Sequence, residues 1–254
     1  MKKAFLSLIL IFRLFLTSNA QEVLVDSINN SSPDKENLYK FRPLQLVIPA
    51  TLIGVGFIGL ESDWLKGHNH EVKDELQEHS HPKITVDDFT QSTPLVATYG
   101  LKLAGVKSRH DYLDMTILST TAYIITGATV YGVKSITKVE RPDGSARNSF
   151  PSGHTATAFA GAELLRKEYW DISPWIGIAG YTIATGTGFF RMYNNKHWLT
   201  DVIAGAGVGI LSVQAAYWLY PVIKRTLFNH KSTGVVVAPT FTSCNIGISA
   251  AIIF

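Results

Sequence analysis

The sequence predicts an all-α protein, a membrane-embedded bundle of about five or six helices with a short C-terminal β-hairpin-like tail. Three observations predict it. Long apolar runs alternate with short loops that carry nearly all the charge. The later runs are dense in Gly, Ala, Ser and Thr, the residues that let helices approach closely within a bilayer. The polar constellations fall at the ends of the runs, where a bundle of spanning helices places its chemistry. Composition alone does not separate soluble from membrane: 46% of residues are hydrophobic, yet mean hydropathy is only +0.13.

The chain opens with Lys2 and Lys3, an apolar run from Ala4 to Leu16, and Ser18-Asn19-Ala20. That order of charge, grease and small residues reads as a signal peptide or N-terminal anchor over 1–20. Residues 21–93 form an N-terminal polar region with one candidate span, 44–60, which is uncharged and near the lower length limit for crossing a bilayer. The run 94–106 is apolar but short and contains Lys102. The run 115–133 is uncharged and long enough to span. Stretches 155–165, 175–190 and 202–220 are three more apolar helical segments, so 94–228 reads as one helical core. The tail, 229–254, is apolar, and its two β-prone runs bracket Thr242-Ser243-Cys244-Asn245 as a hairpin would. Cys244 is the single cysteine, so no internal disulfide forms.

Within the polar region, "HNHEVKDELQEHSH" carries His68, His70, His79 and His81. Interspersed with lysine and carboxylates, it reads as a polar connector rather than a metal site. Short-loop cations mark the cytoplasmic side. Lys107, Arg109, Arg166, Lys167, Lys224 and Arg225 recur at alternate helix ends, which sets 134–152 and 191–201 on the periplasmic or external face.

Three constellations fall on that face. In "KSITKVERP", Lys134 and Arg141 are seven apart, two turns of one helix face, and Pro142 ends the helix. In "PSGHT", Ser152 starts a helix whose free N–H groups suit an anion, Gly153 permits close approach, and His154 stands beside it. In "RMYNNKHWLTD", His197 and Asp201 are i and i+4, neighbours on a helix face. A carboxylate there fixes the imidazole tautomer and leaves the other nitrogen free to attack. Arg191 can reach an anion at the helix mouth. Together, three cations, a backbone cradle, two histidines and one carboxylate suit phosphoryl transfer. Cations and N–H donors stabilise the equatorial oxygens, one histidine attacks, and the other protonates the leaving oxygen. No carboxylate cluster lies near these motifs in sequence, so metal-independent chemistry is expected.

Lys-x6-Arg-Pro, Pro-Ser-Gly-His and Arg-x5-His-x3-Asp, in that order, resemble the motifs of the type 2 phosphatidic acid phosphatase superfamily over roughly residues 95–220. That superfamily includes membrane lipid phosphatases, soluble acid phosphatases and vanadium haloperoxidases. The resemblance implies that His197 is the nucleophile and forms a phosphohistidine, that Asp201 orients it, and that His154 is the general acid. It implies that Lys134, Arg141, Ser152, Gly153 and Arg191 hold the phosphate. Phe190 departs from the family pattern, which has a serine before the third-motif arginine. The wording around the motifs further resembles membrane phosphatases of Bacteroidetes-type bacteria, some of which act on lipid A. The expectation is therefore an inner-membrane lipid phosphatase facing the periplasm, with no cofactor, a membrane lipid as partner and no nucleic acid. Lipid A or undecaprenyl diphosphate leads as substrate, then phosphatidic acid or phosphatidylglycerol phosphate. A vanadate-dependent haloperoxidase or an inactive anion-binding membrane protein are the other classes.

Overall fold

The structure, a computed structural model, describes residues 39–78, 85–228, 234–242 and 245–253. The expected signal or anchor and the His79–His81 half of the histidine cluster lie outside the described residues. The described chain runs through α1 (Leu44–Glu61), α2 (Asp63–Gln77), the single turn α3 (Asp87–Thr90), α4 (Thr93–Leu103), α5 (Tyr112–Thr137), α6 (Gly153–Tyr169), α7 (Pro174–Tyr193) and α8 (Leu199–Phe228). Past α8, β1 (Gly234–Thr242) pairs antiparallel with β2 (Asn245–Ile253), Gly234 opposite Ile253 and Thr242 opposite Asn245.

Among the described residues, three helices are long and apolar enough to cross a membrane: α1, α5 and α8. They play different parts. In their most apolar windows, 67% of α8 is buried against 17% of α1 and 22% of α5. So α8 is the central helix, while α1 and α5 turn apolar faces outward. Leu44, Ile48, Ile124 and Ile136 are each at least 65% exposed, which suits hydrocarbon and not water. The run 94–106 folds as the 11-residue α4, shorter than a span. Helix α6 carries Glu163, Arg166, Lys167 and Glu168, which make it too polar for the same class.

The two carboxylates and Arg166 are paired inside the protein. Glu163 accepts from Arg166, Tyr181 and Gln214. Glu168 accepts from the His110 backbone N–H and from the Tyr217 hydroxyl. Buried polar groups are tolerable only when paired in this way.

Helix α8 packs against α1, α5 and α6, and α6 packs against α7. Small residues set these distances. A Cβ on Gly209 would lie 2.3 Å from the Ala156 carbonyl oxygen, and one on Gly205 would lie 2.6 Å from that of Ser152. Backbone thus meets backbone along the α6–α8 seam, and the seam fixes Ser152 over the first turn of α8. One compact unit runs from Phe41 to Phe254, so α1, α2 and α3, from the segment read as an N-terminal polar region, belong to the same body as the core.

The polar connector is helix α2, and it packs on the site end of the bundle. Asn69 is buried. It donates to Thr200 Oγ1 at 2.9 Å and accepts from the Thr200 backbone N–H at 3.1 Å, one of the donors a helix start leaves open. Gln77 donates to the Tyr193 carbonyl. His68 faces Glu71 at 2.7 Å and its ring meets Trp64 edge to face, while the His70 ring packs on Trp198. No metal-ligand grouping includes either histidine among the described residues.

Candidate active site

All eight residues singled out in the sequence gather where the end of α5, the start of α6, the end of α7 and the start of α8 meet. Two of the local expectations need correcting. Lys134 and Arg141 do not share a helix: α5 ends at Thr137, and Lys138 adopts a left-handed conformation with φ 48° that turns the chain out of the helix. Arg141 lies in the following loop, where its Nε donates to Asn148 Oδ1 at 2.9 Å. Lys134, in the last turn of α5, donates to the carbonyls of Asn148 and Ser149. His197 is not on a helix either. Helix α8 begins at Leu199, and His197 sits in the loop before it.

A capping turn, not a helix face, brings His197 to Asp201. Asp201 Oδ2 accepts from the Trp198 backbone N–H at 2.9 Å, reaching back from the first turn of α8 to its start. The same oxygen lies 3.5 Å from His197 Nδ1. Ser149, which the motif reading passed over, completes the arrangement. Its hydroxyl donates to Asp201 Oδ2 and stands 3.4 Å from His197 Nδ1. A serine that gives its hydrogen to a carboxylate keeps lone pairs for an imidazole N–H. Nδ1 therefore carries the hydrogen, and Nε2 keeps the lone pair. Asp201 is fully buried and His197 nearly so. Burial pushes the His197 imidazole down to about 4; Asp201 pulls it upward, and Lys134 and Arg191 press it down again. The ring is neutral at physiological pH.

The loops carrying these groups are zipped together. Lys196 Nζ donates to Asp143 Oδ2 at 2.6 Å, Trp198 Nε1 to the Glu140 carbonyl at 2.9 Å, and the Ser152 N–H to the Asp201 carbonyl at 3.0 Å. Burial opposes ionisation of Asp143, yet the bonds from Lys196 and Ser145 outweigh it and hold the carboxyl well below the usual range.

Ser152 caps α6 as its sequence suggests, its Oγ accepting from the Thr155 N–H at 3.4 Å and the Thr155 hydroxyl at 2.8 Å. That hydroxyl is buried and engaged, so what α6 offers an anion is the pair of first-turn N–H groups of Gly153 and His154. A Cβ on Gly153 would meet only Val130 at 3.6 Å, an ordinary contact, so protein packing alone does not require glycine there.

Arg191 lies in the last turn of α7 and is buried. Its Nη1 donates to Asp87 Oδ2 at 2.6 Å, while its Nε is buried without a hydrogen-bond partner. An open guanidinium donor in a buried site is what an incoming anion would satisfy. Phe190 packs on Phe189 and Tyr193 and brings no hydroxyl to the site.

The sequence places no carboxylate cluster near these motifs. The structure brings two carboxylates to the site in addition to Asp201, because α3 folds onto α7. Asp87 Oδ1 accepts from Asn194 Nδ2 at 2.9 Å, and Thr187 donates to Thr90 at 2.9 Å. Asp88 Oδ1 lies 3.0 Å from His154 Nε2. Asp87, Asp88 and His154 place ligand-type atoms within 4.8 Å of one another. Both oxygens of Asp87 are already occupied by Arg191 and Asn194, so the donor set fits an arginine better than an added cation. Burial and Arg191 push the His154 imidazole below its ordinary value, and Asp88 and Asp87 pull it back up.

Residues 116–225 match the PAP2 superfamily. Lipid A 1-phosphatase of Porphyromonas gingivalis is 43% identical to this chain over 151 residues, which are 58% of this chain and 34% of that protein. The chain thus spans about a third of that curated relative. Among solved structures, Aquifex aeolicus LpxE aligns with a TM-score of 0.44 and 21% identity, over 57% of this chain and 92% of that one. The transmembrane PAP2 type phosphatidylglycerolphosphate phosphatase of Bacillus subtilis aligns with a TM-score of 0.42 and 17% identity, over 72% and 99%.

Proposed function

From the match of residues 116–225 to the PAP2 superfamily and the geometry of the site, we propose that the protein is a membrane lipid phosphatase that works through a phosphohistidine on His197. The observation that carries the reading is the His197–Ser149–Asp201 arrangement, which leaves Nε2 as a neutral nucleophile beside Lys134, Arg141 and Arg191. Nε2 attacks phosphorus. The three cations and the first-turn N–H groups of Gly153 and His154 take the charge on the equatorial oxygens. His154 gives a proton to the leaving oxygen. Water then attacks the phosphohistidine, His154 takes its proton, and inorganic phosphate leaves. Nucleophile, acid and charge stabilisation all come from side chains and backbone, so turnover is expected to survive chelation.

A lipid suits the site better than a soluble ester. The constellation sits at helix ends while α1 and α5 present apolar faces beneath it, so a phosphate can lie at the surface with its chains in the bilayer. Lipid A leads, with undecaprenyl diphosphate beside it, since the Porphyromonas gingivalis relative is a lipid A 1-phosphatase. Phosphatidic acid and phosphatidylglycerol phosphate follow. We place the site on the periplasmic side of the inner membrane. Arg109 pairs with Asp171, and Lys224 with Asp114, at the ends of α5, α6 and α8 remote from the site. Cations gathered there mark the cytoplasmic end.

The test is phosphate release by the detergent-purified chain with EDTA present, offered lipid A, undecaprenyl diphosphate and phosphatidic acid. Release from one lipid, abolished in His197→Ala, is the expected result. Equal release by the variant, or loss on adding EDTA, would overturn the mechanism.

A further inference from the structure

Asp88 is the charged group in direct contact with His154, and the reaction above leaves it without a task. It belongs to α3, whose four residues could not hold a fixed position alone. Three contacts staple that turn to α7: Asp87 to Arg191, Asp87 to Asn194, and Thr90 to Thr187. The turn so anchored presents the next carboxylate, Asp88, to His154 on α6. Arg191 Nη1 lies 2.6 Å from Asp87 Oδ2 and 4.0 Å from Asp88 Oδ1, but the two aspartates differ in burial. Asp87 is buried with both oxygens engaged, while the Asp88 side chain is 56% exposed and its Oδ1 faces His154 Nε2.

We propose that Asp88 is the positioning carboxylate of the general acid, holding His154 through Nε2–H so that Nδ1 faces the leaving group. The inference rests on the phosphatase reading above. A carboxylate only accepts, so the ring hydrogen lies on Nε2, and protonation adds the second hydrogen at Nδ1. The imidazolium gives that Nδ1 proton to the bridging oxygen as the P–O bond breaks and the His197 Nε2–P bond forms. The lipid departs as its alcohol, or as the monophosphate when the substrate is a diphosphate. In the second half, Nδ1 takes a proton from the attacking water as the Nε2–P bond breaks.

Asp88 has electrostatic work to do as well. The charged groups facing His154 are Asp87 and Asp88 from α3 and Arg191 from α7. Burial and Arg191 disfavour the imidazolium, and the Asp88 contact is the strongest influence restoring it. An acid that must carry a proton at the start of each turnover needs such a partner.

The test compares wild type with Asp88→Asn in the full chain, using phosphatidic acid, whose alkoxide leaving group needs a proton, and p-nitrophenyl phosphate, whose phenolate does not. The His154 imidazole is titrated alongside by NMR of histidine-labelled protein, its signal assigned with His154→Gln. The expected variant titrates His154 lower by about one pH unit, and the basic limb of kcat/KM moves with it. Its kcat on phosphatidic acid falls about tenfold or more, and the loss on p-nitrophenyl phosphate is at least about fivefold smaller. An unmoved His154 titration overturns the inference, as does an equal loss on both substrates. Higher activity in the variant overturns it too, since Asp88 would then obstruct His154. A wild type that releases no phosphate while Asp88→Asn still shifts His154 would count against the phosphatase reading and leave the Asp88–His154 coupling standing.

Discussion

The Ser149 hydroxyl donates to Asp201 Oδ2 and stands 3.4 Å from His197 Nδ1, so a serine from the α5–α6 loop sits between a histidine and its carboxylate. Ser149 is fully buried, and no water-facing alternative exists for its hydroxyl. Ser149→Ala removes a hydrogen bond to a charged group, an interaction of about 1.5–3 kcal/mol. The expected result is a kcat about 10- to 100-fold lower with KM little changed, measured on whichever lipid the wild type hydrolyses.

Asp201→Asn keeps the shape but offers an amide where His197 needs an acceptor. The ring then takes the other tautomer, and Nε2 loses the lone pair that the proposed attack requires. By analogy with other carboxylate–histidine pairs, kcat should fall roughly 10³–10⁴-fold while the fold persists. A variant retaining more than about a tenth of wild-type kcat would show that Asp201 does not set the tautomer.

The low His197 value has a signed consequence for stability. The folded protein binds this proton near pH 4, whereas the unfolded chain binds it near its ordinary value of 6.5. Between those values the unfolded state holds more protons, so stability is full above about pH 6.5 and declines as pH falls toward 4. From pH 7 to pH 5 the loss from this group is about 2 kcal/mol. Thermal unfolding of wild type and His197→Gln at both pH values measures it. The variant should lose less on acidification, and equal losses would assign the acid sensitivity to other groups.

Arg191 and Asp87 form a pair whose side chains are only 10% and 2% exposed. Removing one partner leaves a buried charge without compensation, at a cost of about 3–5 kcal/mol. Asp87→Ala should therefore lower the thermal midpoint in detergent, and Asp87→Asn, which can still serve Asn194, should lower it less. Similar midpoints for the two variants would mean that the ion pair does not stabilise the fold.

Asn69→Leu leaves the Thr200 N–H at the start of α8 without an acceptor, at a cost of about 1–3 kcal/mol. Because Thr200 lies between His197 and Asp201, kcat should fall along with stability. Hydrogen exchange at the Thr200 amide should rise at the same time.

What the sequence made legible follows from where each interaction is encoded. The cap at Ser152 is local: a serine followed by a glycine and an apolar run starts a helix, and α6 begins there. His197 and Asp201 are four apart, so they meet even though the turn that joins them is a cap and not a helix. Helix α8 was legible by its apolarity, though its central place rests on the glycines that admit α6. Ser149, Asn69 and the Asp87–Asp88 pair were not legible. Asp87 meets Arg191 across 104 residues and Asn69 meets Thr200 across 131, contacts made only when whole helices dock. Ser149 lies three residues before Ser152 and outside all three motifs. The one signal for Asp87 and Asp88 was an acidic doublet just before an apolar helix, a pattern that surface turns share.

The α6–α7 connection, Trp170 to Ser173, lies at the end of the bundle remote from the site, while the loops that zip Lys196 to Asp143 and Trp198 to Glu140 join the two halves at the working end. His154 and His197 are thus borne by two separable pieces of chain, one ending with α6 and one beginning with α7. Their alignment is set by noncovalent contacts and not by the peptide bond between them. A cut in that connection would leave every site contact in place, and two coexpressed fragments would rebuild one centre from complementary halves.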